Sequence, residues 1–265
     1  MGRPRRTSLG GYLYHVLNRG NGRLPVFHKD FDYEAFLHVV TETQEHVHGV
    51  RLLAYCLMPN HWHLVLWPRR DGELSDFMHW LTLTHTQRWH ARYQNIGGGH
   101  LYQGRFKSFP VQTDEHYLTV CRYVERNALR AGLVKRAESW RWGSLAQRRG
   151  IGLATGPVLS DGPLPWPKNW LDQVNRPLKE KELQSLRQCV ERGQPYGGEA
   201  WVKRAAGKLG LASTLRSRGR PKKGQQKRVL TPFPSDGMHT IRILAAVICI
   251  RGVSNRSRFK RMSII

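Results

Sequence analysis

The chain has 265 residues, and 43 Lys+Arg against 19 Asp+Glu give a net charge of +24 and a pI near 10.7. That excess favours a polyanionic partner, nucleic acid first, and argues against a metabolic enzyme working alone on small molecules. Hydrophobic content of 40% with nine Trp allows a real core, in one domain of roughly 150 residues plus extensions or in two small ones.

The first eleven residues are basic and hold no apolar stretch, so no secretory signal is expected. Residues 12–17 (YLYHVL) are rich in β-formers and predict a strand, followed by a turn at Arg19-Gly20-Asn21-Gly22. Residues 31–48 carry Phe31, Ala35, Val39 and Val40 at helical spacing, and Gly49 ends that helix. Residues 50–58 and 61–67 predict two further strands, a hairpin joined through Pro59-Asn60. A long helix is expected over 73–94, from Leu74, Phe77, Met78, Leu81 and His85. Residues 95–104 form a Gly-rich loop without the Lys-Ser/Thr of a phosphate-binding P-loop. Residues 105–112 predict a fourth strand, set toward an edge by Pro110. Thr113 or Asp114 caps a helix running to about Ala131, which Gly132 closes.

Beyond it, Trp140-Arg141-Trp142 opens a further helical segment, 150–168 is a Gly/Pro-rich linker, and helices are expected over 178–192 and 199–209. The resulting order, β-α-β-β-α-β and then a helix, is the ferredoxin-like α+β arrangement: an antiparallel four-stranded sheet with helices on one face. The expected division is a catalytic domain over 9–150, a helical extension over 151–215 and a basic tail over 216–265. Residues 201–265 hold 16 Lys/Arg against one acid, +15, leaving +9 for the rest. The four cysteines are scattered, which suits reduced thiols in a cytoplasmic protein. The longest apolar run of the tail, Ile243 to Ile250, is far short of the roughly 20 residues of a membrane span.

His61-Trp62-His63 lies on a predicted strand, where residues two apart share a face, so the two imidazoles stand side by side as a potential metal-binding pair. Two strand histidines that merely pack or face solvent are the alternative. His46-Val47-His48 has the same spacing at a helix end, where two positions diverge by about 200°, and reads as surface. On the 114–131 helix, Tyr123, Asn127, Arg130 and Thr119 share one face, turned away from Tyr117, Cys121, Val124 and Ala128. That face is either a site or an amphipathic Tyr beside a capping Asn.

In combination these stretches resemble the HUH single-tyrosine DNA transposases, in the branch called REP-associated tyrosine transposases. The resembling segments are Gly10 to Val16 with Asn18-Arg19-Gly20-Asn21, Tyr55 to His63, Tyr102 to Ser108, Arg122 to Val134 and the patch Leu215 to Lys222. Ala128 departs from the Pro usual there and is expected to lengthen the helix. The resemblance implies a metal-dependent endonuclease and strand transferase acting on single-stranded or hairpin-forming repeat DNA. Tyr123 would be the nucleophile, forming a 5′-phosphotyrosine link, and His61, His63 and Asn127 would hold Mg²⁺ or Mn²⁺. DNA contacts are expected from Arg19, Arg105, Lys107 and Arg130, and from Arg218, Arg220 and Lys222 in an Arg-Gly-Arg-Pro patch of AT-hook form. Two competing functions are a catalytically silent DNA-binding regulator and a replication or mobilisation initiator nuclease. The protein is expected to act as a monomer or homodimer.

Overall fold

The computed structural model describes residues 8–94, 97–153 and 156–216. Arg218, Arg220 and Lys222 lie outside the described residues.

Strands β1 (Leu13–Arg19), β2 (Val50–Met58), β3 (His61–Pro68) and β4 (Lys107–Val111) form one antiparallel sheet in the order β2-β3-β1-β4. Helix α1 (Asp30–His46) links β1 to β2, and α2 (Glu73–Tyr93) links β3 to β4. This is the expected βαββαβ topology. Strand parity divides the sheet's side chains between two cores. Tyr14, Val16, Trp62, Leu64 and Leu66 face α1 and α2 in the first core, together with Phe36, Leu37, Phe77 and Leu81.

The opposite face is apolar as well, with Leu13, Cys56, Met58, Val65, Phe109 and Val111, so it too must be covered. The expectation of helices on one face therefore holds only for α1 and α2. Helix α3 (Glu115–Glu125) lies across the second face, followed by α4 (Asn127–Arg130), α5 (Ser144–Arg148), α6 (Trp170–Asn175), α7 (Glu180–Arg192) and α8 (Glu199–Lys208). The β2 register shifts between Leu52 and Ala54, so Leu52 faces the first core while Leu53 and Ala54 both join the second. Among the described residues no helix is long and apolar enough to cross a membrane.

The expected continuous helix over 114–131 is two pieces. Asp114 caps α3 by accepting the His116 N–H at 3.0 Å. The break falls at Arg126, whose guanidinium donates to the carbonyls of Val174 and Asn175. Turning there buries Asn127 and seats Ala128 beside Cys56, so Ala128 does not extend α3. Gly132, at φ 72°, closes α4 as expected.

Residues 140–142 are not helical. Trp142 accepts the Leu57 N–H from its carbonyl at 2.9 Å, and the Trp140 indole donates to the Leu57 carbonyl at 2.8 Å. This segment, turning into Gly143, which bridges to Cys56, covers the open edge of β2, where Leu159 and Ser160 also pair with Leu52. Tyr196 covers the other edge by bridging to Val111 and bonding Pro110 and Gln112. Helix α6 follows the segment read as a linker and places Trp170 and Val174 in the second core.

One buried carboxylate ties these pieces together. The Glu125 side chain, fully enclosed, accepts from Ser144 Oγ at 2.6 Å, from Trp170 Nε1 at 2.8 Å and from Arg148. Arg148 also donates to the Leu53 carbonyl at the β2 irregularity. Removing one partner of such a pair leaves the other charge poorly solvated. Glu125→Ala is expected to cost about 3 kcal/mol of folding stability, read as a lowered urea midpoint; a loss below about 1 kcal/mol would mean that Arg148 finds other compensation.

Candidate active site

The predicted site residues come from β3, β1 and the α3–α4 turn. On β3, His61 and His63 both face the second core side, and their ring centroids lie 5.0 Å apart at 80°. His63 is buried, at 3% exposure. Its Nδ1 lies 2.9 Å from Nε2 of His15, while its Nε2 is buried without a partner among the described residues. His61 is half-buried, and its Nδ1 bonds the side-chain oxygen of the preceding Asn60 at 2.6 Å, which leaves its Nε2 for another partner.

Tyr123 meets this pair edge-on. Its ring lies 5.9 Å from that of His63 at 90° and 6.1 Å from that of His15 at 73°. The face carrying Tyr123 is therefore turned onto the sheet, and the residue is 6% exposed rather than displayed on an open polar surface. Arg130 stands over the same ring, with its guanidinium carbon 4.8 Å from the centroid, and donates to Asn127 Oδ1 at 2.7 Å. Asn127 is buried with its Nδ2 unpartnered. Its oxygen keeps a second lone pair beyond the one given to Arg130.

Burial sets the charge state of the cluster. It lowers His15 to about 3 and His61 to about 4, and it takes His63 well below 6.5. Arg19 and Arg130 add to the effect on His61, and His61, His15 and both arginines add to that on His63. The three rings are neutral at pH 7, the form in which imidazole is a ligand. A buried histidine nitrogen without a partner, a second neutral ring beside it and a nearby amide suit a divalent cation. Among the described residues no three His, Cys, Asp or Glu side chains converge on one point. Any metal here must complete its shell with an amide, phosphate or water.

The other expected DNA contacts divide. Arg19 follows β1 into the site, paired in register with His61. Arg105 lies apart, in a groove of about 720 Å³ that Asn18, His79, Gln103 and Phe106 also line. Lys107 is exposed at the start of β4. Sequence reasoning assigned no role to His15. On β1 it is diagonal to His63 across the β1–β3 ladder, because His15 pairs with Val65 and Leu17 with His63. Nothing local to its own segment marks that neighbour.

The family model for IS200-like transposases matches residues 8–127. Over that stretch the chain is similar to the IS200-like transposases. The matched residues include His15, His61, His63, Tyr123 and Asn127, and stop three short of Arg130. Two solved structures are similar. A REP-associated tyrosine transposase bound to a REP hairpin aligns at a TM-score of 0.46 and 18% identity, over 61% of this chain and 100% of that one. A candidate transposase from Deinococcus radiodurans R1 aligns at 0.34 and 18%, over 47% and 96%. A search of curated proteins gave no match.

The buried neutral rings predict a pH dependence. His15, His63 and His85 are fully enclosed, and each titrates lower in the folded chain than the ordinary 6.5. Between those values the unfolded chain binds more protons, so stability present above pH 6.5 is lost as pH falls below it. Each such ring contributes about 1.4 kcal/mol per pH unit. The unfolding midpoint of the metal-free protein is expected to drop steadily from pH 7 to 5, and His85→Gln is expected to make that slope shallower. A flat profile would contradict the burial of these rings.

Proposed function

We propose that this transposase domain cleaves and rejoins single-stranded DNA through Tyr123, on a hairpin-forming repeat of the REP type. The observation that carries the proposal is the packing of Tyr123 against the His63 ring, beside a buried imidazole nitrogen that has no partner among the described residues. Such a pairing of nucleophile and phosphate-activating group is what phosphoryl transfer to tyrosine needs. The phenolic oxygen attacks the scissile phosphorus, its bond to phosphorus forms, and the bond to the 3′ oxygen breaks. The products are a 5′-phosphotyrosine and a free 3′-hydroxyl. Attack of a 3′-hydroxyl on that linkage restores a phosphodiester without ATP.

A bound Mg²⁺ or Mn²⁺ would supply Lewis-acid polarisation of the phosphate. His61 and His63 would hold it, and Asn127 would be the third protein ligand through the lone pair that Arg130 leaves free. Two imidazoles and an amide are a softer set than the all-oxygen shells typical of Mg²⁺, which favours Mn²⁺ at least equally. Arg130 positions Asn127 and the Tyr123 ring together and brings positive charge to the phosphate. Arg19 adds a second positive group near His61 and His63. Arg105 and Lys107 would contact DNA away from the reacting centre.

The decisive experiment mixes the protein with a hairpin oligonucleotide and either Mn²⁺ or Mg²⁺, then separates the products under denaturing conditions. The wild type is expected to give a protein–DNA adduct, with Mn²⁺ at least as effective as Mg²⁺. Tyr123→Phe is expected to abolish the adduct and to leave DNA affinity within about threefold. Binding without an adduct in the wild type would identify a silent DNA-binding regulator, and an adduct persisting in Tyr123→Phe would move the nucleophile elsewhere.

In the tail, Arg218, Arg220 and Lys222 are proposed as phosphate and minor-groove contacts. Replacing all three with Ala is expected to weaken DNA binding and to reduce the slope of log affinity against log salt by about 2–3. An unchanged slope would remove the tail from the interface.

A further inference from the structure

His63 Nδ1 and His15 Nε2 lie 2.9 Å apart, deep between the sheet and α3. Two neutral imidazoles in such a contact share one hydrogen, and which ring owns it decides what the far side of His63 offers. With the hydrogen on His15 Nε2, His63 carries its own on Nε2 and has no lone pair for a metal. With the hydrogen on His63 Nδ1, Nε2 is bare and unpartnered. His15 is held for the contact: it is fully buried, its ring lies 4.8 Å from that of Phe109, and the β1–β3 register fixes it diagonal to His63. His61 makes an equivalent bond locally, its Nδ1–H donating to Asn60 Oδ1. Each ring of the pair is thus engaged at Nδ1, and each keeps Nε2 for the site.

We propose that His15 is a positioning residue, accepting the His63 Nδ1–H at its Nε2 and so holding His63 in the tautomer and orientation that present Nε2 to a divalent cation. Outer partners of this kind fix ligand orientation and typically change metal affinity 10- to 100-fold when removed. The proposal rests on the metal-binding role given to His63 above.

The test uses the full chain without DNA. In His15→Phe an aromatic ring still fills the space against Phe109 and Tyr123, but the acceptor is gone. In His15→Gln the side-chain oxygen can still accept. Mn²⁺ dissociation constants come from the free-ion signal in electron paramagnetic resonance, and the His63 tautomer comes from imidazole ¹⁵N shifts in the metal-free wild type. The expected results are a hydrogen on His63 Nδ1, a 10- to 100-fold weaker Mn²⁺ affinity in His15→Phe, and affinity within about threefold of wild type in His15→Gln. A hydrogen on Nε2, or His15→Phe binding Mn²⁺ like the wild type, overturns the proposal while leaving the metal reading intact. A wild type that binds no Mn²⁺ overturns the metal reading itself, and His15 with it. Should His15→Phe fail to fold, the tautomer and the His15→Gln affinity still decide: Nδ1–H with retained affinity supports the proposal, and Nε2–H overturns it.

Discussion

Glu125 is the side chain on which the placement of the site depends. Tyr123 and Glu125 project from α3 roughly 200° apart, and both are buried. A helix enclosed on opposite sides has no free rotation left. The tyrosine side meets the histidines of β1 and β3, and the carboxylate side is fastened to Ser144, Arg148 and Trp170. Arg122 and Arg126 add bonds to backbone carbonyls between Val174 and Pro177. Tyr123 and the histidine pair thus come together within one chain.

The site combines an uncharged floor with a charged rim. Burial strips the proton from His15, His61 and His63, so the rings bring lone pairs and no charge. Positive charge comes from Arg19 and Arg130 at the edge, where guanidinium groups cannot lose theirs. A floor of imidazolium ions would repel a cation, and a rim without arginine would leave a phosphate poorly held. The +24 of the whole chain says only that a polyanion is welcome; under the proposed function, this local division is what would seat a phosphate beside Tyr123.

Much of this was readable in the sequence, for reasons that differ by residue. The His61/His63 pair followed from the period of two along a strand, which needs no knowledge of neighbours. The strand order and the α1 and α2 crossovers followed from element order and hydrophobic spacing. His15 was not readable as part of the site, because its relation to His63 exists only through the register of two paired strands. The helical wheel grouped Tyr123, Asn127 and Arg130 correctly. The burial of that face was not readable from the wheel, since polarity marks a buried site and a solvent surface alike. The break at Arg126 and the non-helical path of Trp140 to Trp142 are tertiary effects: carbonyls of α6 draw Arg126 aside, and an open sheet edge takes up residues that their own pattern would let coil.

That capped edge bears on how such a protein can change over time. Residues 142–143 and 159–160 close one side of the sheet and Tyr196 closes the other, all from segments that follow the matched transposase region. The matched core and the later helices are therefore not interchangeable modules. A lineage that shed everything past residue 139 would uncover two strand edges at once, inviting self-association. Selection against self-association would preserve the later segments even in a copy that had lost Tyr123.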